Sequence, residues 1–267
     1  MLKEQKNVVE IDSKYVPRVK EENGIWKIDA ECLYYKDLNC LLRSVCSKGA
    51  EKIEIRNVCG QRYIGTDLDV AVAIDIYGTP GNDMGAFMSG PKIVVHGNAQ
   101  DGCGNTMDEG KIVIHGQSGD LTGHSMRGGQ IFIRDDVGYR VGIHMKEYKR
   151  KVPDIVIGGV AGDFLAEYMA GGVVLVLGLT LGECERCKAR FVGTGMHGGV
   201  IYERGDILEV GKGTKLMKTG KRDIKVIERL VKEYCEHFGA DYKKIMNAKF
   251  HKIVRLSKRP YGSLYAT

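Results

Sequence analysis

The sequence predicts an all-β fold: a single-stranded, right-handed parallel β-helix of about seven coils, with flanking α-helices at both ends. A short phrase recurs at intervals of nineteen residues, and each copy places β-branched residues two apart before a glycine-containing turn. The chain has 36 glycines and 5 prolines without the every-third-residue period of collagen. A nineteen-residue unit is long enough for one turn of a coil, and stacked coils pair equivalent strands in parallel.

The repeated phrase is a methionine followed five residues later by isoleucine or valine, as in Met88 and Ile93. Longer intervals of twenty-four and twenty-seven residues predict surface insertions at 139–152 and 183–190. Because alternate residues of a strand point to opposite faces, the two β-branched residues of each copy both face the core, and the first of each pair forms one ladder. The predicted inward ladder consists of Ile74, Ile93, Ile112, Ile131, Ile155, Val174 and Ile201. The methionines are interpreted as flexible core fillers at a corner.

The sequence divides into three predicted parts. Residues 1–50 form an N-terminal extension and helix, residues 51–210 the parallel β-helix, and residues 211–267 a C-terminal helix and tail. The two helices are predicted at 37–49 and 223–239, where apolar residues recur at helical spacing.

One outward ladder is apolar, although the outer face of an exposed strand is normally polar. Its members are Val94, Val113, Phe132, Val156 and Leu175. This face is therefore predicted to be covered and is the candidate interface. The cover is an amphipathic helix of the same chain or another protein, and both could occur on different faces.

Several segments resemble one known domain. They are 55–65, 77–90, 167–178 and 191–202, together with the repeated Gly-x-x-x-Gly-x-x-Met-x-x-Gly pattern. These residues are similar to the C-terminal domain of the glutamate synthase large subunit, and the similarity covers roughly residues 28–260. One of the subunits of formylmethanofuran dehydrogenase carries the same glycine-repeat domain.

The resemblance implies a scaffold without catalytic residues of its own. In glutamate synthases an amidotransferase releases ammonia and a flavin-containing barrel adds it to 2-oxoglutarate, and this domain joins the two. A stand-alone chain would bind both as separate subunits, and FMN and an iron–sulfur cluster are expected in those partners. The alternative is a scaffold similar to the glycine-repeat protein of formylmethanofuran dehydrogenase, beside a molybdenum or tungsten enzyme.

The sequence offers two weak sites for chemistry. Cys184 and Cys187 form a single C-x-x-C, to which His197 could add a zinc ligand, but free or locally paired thiols are favoured over zinc or redox chemistry. A self-contained metal-binding module is therefore a third functional hypothesis. His96, His115 and Arg134 should stack nineteen residues apart, and a polar ladder is favoured over metal or anion binding.

No catalytic or cofactor-binding residue is predicted. The glycines follow the coil period and form no Walker A pattern, and no serine stands in a nucleophile elbow. An N-terminal-cysteine amidotransferase needs a cysteine at its mature start, whereas the first cysteine is Cys32. The eight cysteines are expected to be thiols.

Charge and hydropathy indicate a soluble cytoplasmic protein that binds neither nucleic acid nor membrane. The formal net charge of +6 is spread along the chain instead of being gathered in blocks. The longest apolar run, 173–181, is about half the roughly 20 residues that a spanning helix needs. The charged start lacks the apolar stretch of a secretory signal. The sequence leaves self-association open.

Overall fold

A computed structural model describes residues 13–182, 189–205, 207 and 209–256. The strands are Val19–Glu22 (β1), Ile25–Asp29 (β2), Lys52–Cys59 (β3), Ala73–Thr79 (β4), Ser89–His96 (β5), Glu109–Ile114 (β6), Gln130–Ile133 (β7), Asp154–Ile157 (β8), Ala170–Val176 (β9), Gly198–Arg204 (β10), Thr214–Lys218 (β11) and Phe250–Arg255 (β12). The helices are Tyr35–Ser47 (α1), Lys221–Phe238 (α2) and Tyr242–Met246 (α3), and a short 3-10 helix spans Ser13–Arg18.

The described strands form one sheet whose order confirms the parallel β-solenoid. Strands β2 to β10 pair in parallel in the order of the sequence. Antiparallel pairing occurs only at the edges of this described sheet, where β1 joins β2 and where β12 joins β10 and β11. The chain makes six turns from β4 to β10, slightly fewer than the seven coils counted from the sequence.

The predicted inward ladder is present in the register expected from the repeat. Ile74 pairs with Ile93, Ile93 with Ile112, and the pairing continues in step to Ile201. Every member of the ladder is at most 1% exposed, so the coil period places one branched side chain of each turn in the core.

The sheet extends across both predicted domain boundaries. Within residues 1–50, β2 adds a parallel strand, and its Ile28 is buried in register with Ile55 of β3. Within residues 211–267, β11 and β12 continue the sheet in antiparallel sense. Helix α1 packs its buried leucines, including Leu38 and Leu42, into the same core at the N-terminal end.

Each coil turns through a corner in which alternate residues have positive φ. In one coil these are Gly102, Gly104 and Thr106, with φ of 71°, 67° and 53°. The Gly102 and Thr106 amides donate to Asp120 O and His124 O of the next coil, whereas the Gly104 amide donates back to Met84 O, at 2.7–2.9 Å. The corner is therefore hydrogen-bonded to both neighbouring coils and stacks as regularly as the strands.

The middle position of the corner is glycine in nearly every described coil. The members are Gly65, Gly85, Gly104, Gly123, Gly142, Ala166 and Gly193. Positive φ favours glycine there, and the core adds a steric reason. A Cβ on Gly104 would lie 2.6 Å from Ile131 Cδ1 of the inward ladder.

Two alanine substitutions separate backbone strain from crowding. Gly104 and Gly142 have φ of 67° and 69°, but a Cβ on Gly142 would find its nearest neighbour at 3.5 Å. We expect Gly142→Ala to lower the free energy of unfolding by about 1–2 kcal/mol through backbone strain. Gly104→Ala should lose about 1–3 kcal/mol more because the added methyl overpacks the core. Urea denaturation followed by circular dichroism measures both, and equal losses would contradict the steric account.

Candidate interaction surfaces

The apolar outward face is covered by helix α2. Phe132, Val156 and Leu175 lie in one buried cluster with the helix side chains. The buried helix residues are Ile227, Leu230, Val231 and Tyr234. The Tyr234 hydroxyl also donates to Arg134 O at 2.9 Å, so the helix is hydrogen-bonded to the end of β7.

Polar contacts hold the helix at its start and along its length. At the start, the Asp223 carboxylate accepts hydrogen bonds from the Gly220 amide, the Tyr202 hydroxyl and Lys252 Nζ at 2.7–2.8 Å. Farther along, Lys111 and Glu233 form an ion pair at 3.0 Å. Because these contacts join the helix to β6, β10 and β12, α2 is an integral part of the described fold.

Of the two covers that the sequence left open, the structure contains the internal one. Val113, Phe132, Val156 and Leu175 are at most 1% exposed, and only Val94 stays half-buried. Four of the five candidate interface residues therefore have no surface available to a partner while α2 is docked. In register beyond Val94 the ladder becomes acidic, with Asp75 in β4 and Glu54 in β3.

The predicted ladder at the strand ends is a stack of rings. His96 stacks on Tyr77 at 4.4 Å between centroids, and His115 follows His96 at 5.5 Å. The Arg56 guanidinium lies 4.2 Å from the Tyr77 ring centroid, and His96 Nε2 is 2.9 Å from an Asp75 oxygen. These contacts use the rings for packing, which agrees with the polar-ladder interpretation.

The described residues include neither a disulfide nor a cluster of potential metal ligands. The six described cysteines are free thiols, and no three His, Cys, Asp or Glu side chains in this part of the chain come together as a potential metal site. Burial raises the pKa of the Cys103 thiol to about 12, which leaves it inert at neutral pH. Cys184 and Cys187 lie outside the described residues.

Exposed apolar side chains line the positive-φ corner, and sequence reasoning missed them. Each is 38–54% exposed and has a φ of 54–62°, a region in which bulky residues are outliers. We call these five residues the corner ridge: Tyr63, Phe87, Leu121, Tyr168 and Phe191. Phe191 stacks on the half-buried Phe164 at 4.9 Å. These exposed, mostly aromatic side chains occupy the first or the third positive-φ position of their corners, in five of the seven described coils.

The chain belongs to the GXGXG motif family. The family model matches residues 38–258, which include every parallel coil from β3 to β10. The family is the one that the resemblance to the glutamate synthase C-terminal domain predicts.

A relative of similar length also matches. The chain is 50% identical over 248 residues to an uncharacterized protein, MJ1350, of Methanocaldococcus jannaschii. The match covers 89% of this chain and 95% of the relative. No helix in the described part of the chain combines the length and apolar character needed to cross a bilayer.

An aspartate introduced under the helix tests the internal cover. We expect Phe132→Asp to lower the free energy of unfolding by more than about 4 kcal/mol, because it removes a large core side chain and buries an unpaired charge. The matched variant Val94→Asp, on the same ladder beyond the helix, should keep the fold. Circular dichroism distinguishes the two, and a fully folded Phe132→Asp protein would refute the buried face.

Two histidines where α2 meets the sheet predict a loss of stability in mild acid: His237 belongs to α2, and His115 packs against Phe238 of α2. Burial, and then the nearby Lys111 and Lys92 charges, lower the pKa of His237, with Glu233 and Glu236 opposing. Burial also lowers the pKa of His115. The unfolded chain therefore binds more protons just below the ordinary histidine pKa of about 6.5, and stability falls as pH falls through that value.

A glutamine substitution isolates the contribution of His237 to this pH dependence. We expect the unfolding free energy of the parent protein to decrease between about pH 7.5 and 5.5, and His237→Gln to flatten the decrease. Urea titrations at the two pH values measure the difference. An identical slope in the variant would show that His237 does not couple protonation to unfolding.

Proposed function

We propose that this chain is a structural subunit of a glutamate synthase complex, which converts glutamine, 2-oxoglutarate and a reductant into two glutamates. In this proposal it joins a glutamine amidotransferase to an FMN-containing synthase subunit and supplies no catalytic residue. The observation that carries the proposal is the family match, which runs over 38–258 and so over the whole parallel solenoid from β3 to β10.

The corner ridge supports a partner-binding role. Tyr168 and Phe191 expose 45% and 40% of their surface from backbone positions that disfavour bulky residues. Strained backbone conformations concentrate at functional sites, and exposed aromatic groups mark protein interfaces. We therefore assign the ridge to contact with the synthase subunit or the amidotransferase.

The docked helix α2 also supports partner binding at the corner ridge. Because α2 already buries the apolar face of β6 to β10, the solenoid can present its corner while remaining folded. A stack of coils hydrogen-bonded on the strands and at the corners is a stiff spacer between two partners. FMN and an iron–sulfur cluster belong to those partners in this proposal, and the complex is placed in the cytoplasm.

Purification of the tagged chain from its own cells tests the proposal. We expect an amidotransferase and a flavin protein to co-purify, identified by mass spectrometry and by the flavin absorption of the eluate. Phe191→Asp should reduce their recovery by at least about tenfold, a loss of about 1.4 kcal/mol in binding. Leu216→Asp is the matched control, since Leu216 is 47% exposed on β11 and outside the ridge.

The alternative scaffold gives a different result in the same experiment. Recovery of a molybdenum or tungsten pterin enzyme without the flavin protein would replace the glutamate synthase assignment by the formylmethanofuran dehydrogenase one. If Phe191→Asp and Leu216→Asp lost the partners equally, the assignment of the complex would hold, but the corner ridge would not be its interface.

A further inference from the structure

A basic cleft lies beside the methionine column of the later coils. It is formed by the residues immediately before and after Met126, Met145 and Met169, together with His197 after Met196, since stacking places equivalent positions of successive coils together. The lining residues are Ser125, Arg127, His144, Lys146, Tyr168, Ala170 and His197, and the cavity measures about 520 Å³. This volume suits a small metabolite.

The lining contains arginine, lysine and two histidines but no carboxylate. Two carboxylates at neighbouring positions of the repeat make other contacts. Asp108, one coil before Arg127, is ion-paired with Lys151 from the insertion. Glu147, next to Lys146, accepts a hydrogen bond from the Gly172 amide at 3.0 Å. The residues that line the cleft therefore carry a net positive formal charge, and the Glu147 carboxylate lies just outside the lining.

Arg127 is held by one hydrogen bond that leaves the terminal nitrogens of its guanidinium group available. Arg127 Nε donates to Ser125 O at 3.0 Å, and no hydrogen bond among the described residues uses its two terminal nitrogens. Lys146 is exposed and has no carboxylate within ion-pair distance in that part of the chain. Guanidinium and ammonium groups in this state bind carboxylate and phosphate oxygens.

The wall of the cleft is an ordered aromatic pair. The His144 and Tyr168 rings stack at 5.5 Å between centroids and 10° between planes. A Cβ on Gly195 would lie 2.5 Å from the Tyr168 ring, so the glycine of the next coil lets the ring lie flat against the corner. The site therefore combines fixed donors with a rigid wall.

We propose that this cleft binds a small polyvalent oxyanion, a metabolite with phosphate or carboxylate groups, held by Arg127 and Lys146. The site goes beyond the structural role proposed above: it shares Tyr168 with the corner ridge, but its donors Arg127 and Lys146 lie outside the ridge. Its ligand requires no second protein, because all the named donors belong to this chain.

Calorimetric titration of the full chain at low ionic strength tests the site. Inorganic pyrophosphate is the phosphate probe and glutarate the carboxylate probe. We expect saturable binding of one or both, with the tighter probe identifying the oxyanion class. Arg127→Gln and the exposed Lys146→Gln should each weaken binding at least about tenfold. Lys36→Gln, on helix α1 at the other end of the solenoid, is the matched control and should bind as the parent does.

Two results would overturn the assignment. One is the absence of saturable heat with either probe up to about 10 mM, which corresponds to a binding free energy weaker than about 3 kcal/mol. The other is an equal loss in Lys36→Gln, which would indicate attraction to the overall positive charge. Either result leaves the co-purification experiment unaffected, so the two proposals fail separately.

Discussion

In-register stacking of equivalent positions is the constraint on which this structure depends. A residue suits a coil only if the same site in the coils before and after accepts it, in side-chain volume and in backbone conformation. The inward isoleucines meet this condition by pairing in register, and Gly104 meets it by leaving room for Ile131 of the next coil. The insertion predicted at 139–152 is shorter than expected, because Arg140, Gly142 and His144 form a regular corner and the period is broken only after them, around Lys151.

The same constraint decides which surfaces of the solenoid are covered and which are exposed. A stacked sheet presents long uniform ladders, and an apolar outward ladder is a liability unless something covers it. Helix α2 covers it here, with Leu230 and Tyr234 buried against the strands. The corners, whose amides bond to the coils above and below, carry exposed side chains such as Phe87 and Phe191.

The parallel ladder could be predicted because its period is regular, but the extra strand β3 could not be found in the same way. Ile53 stands twenty-one residues before Ile74, so a search at nineteen misses it. Helix α2 begins and ends within two residues of its predicted range of 223–239. The choice between helix and partner as the cover was undecidable, because an amphipathic stripe and an apolar ladder each fit many surfaces. The cleft did have a signal: alignment on the methionines places Arg127 and Lys146 in neighbouring coils.

The central claim is that α2 covers the apolar face in the free chain and that partners bind at the corners. Amide hydrogen exchange, measured on the free chain and on the complex purified with it, tests this claim most directly. The account predicts that α2 is already protected in the free chain, because the helix is part of the fold. It predicts that added protection in the complex appears at the corner segments carrying Phe87, Tyr168 and Phe191. Rapid exchange of Lys221–Phe238 in the free chain, with protection only in the complex, would show that a partner completes the covered face and would contradict the account.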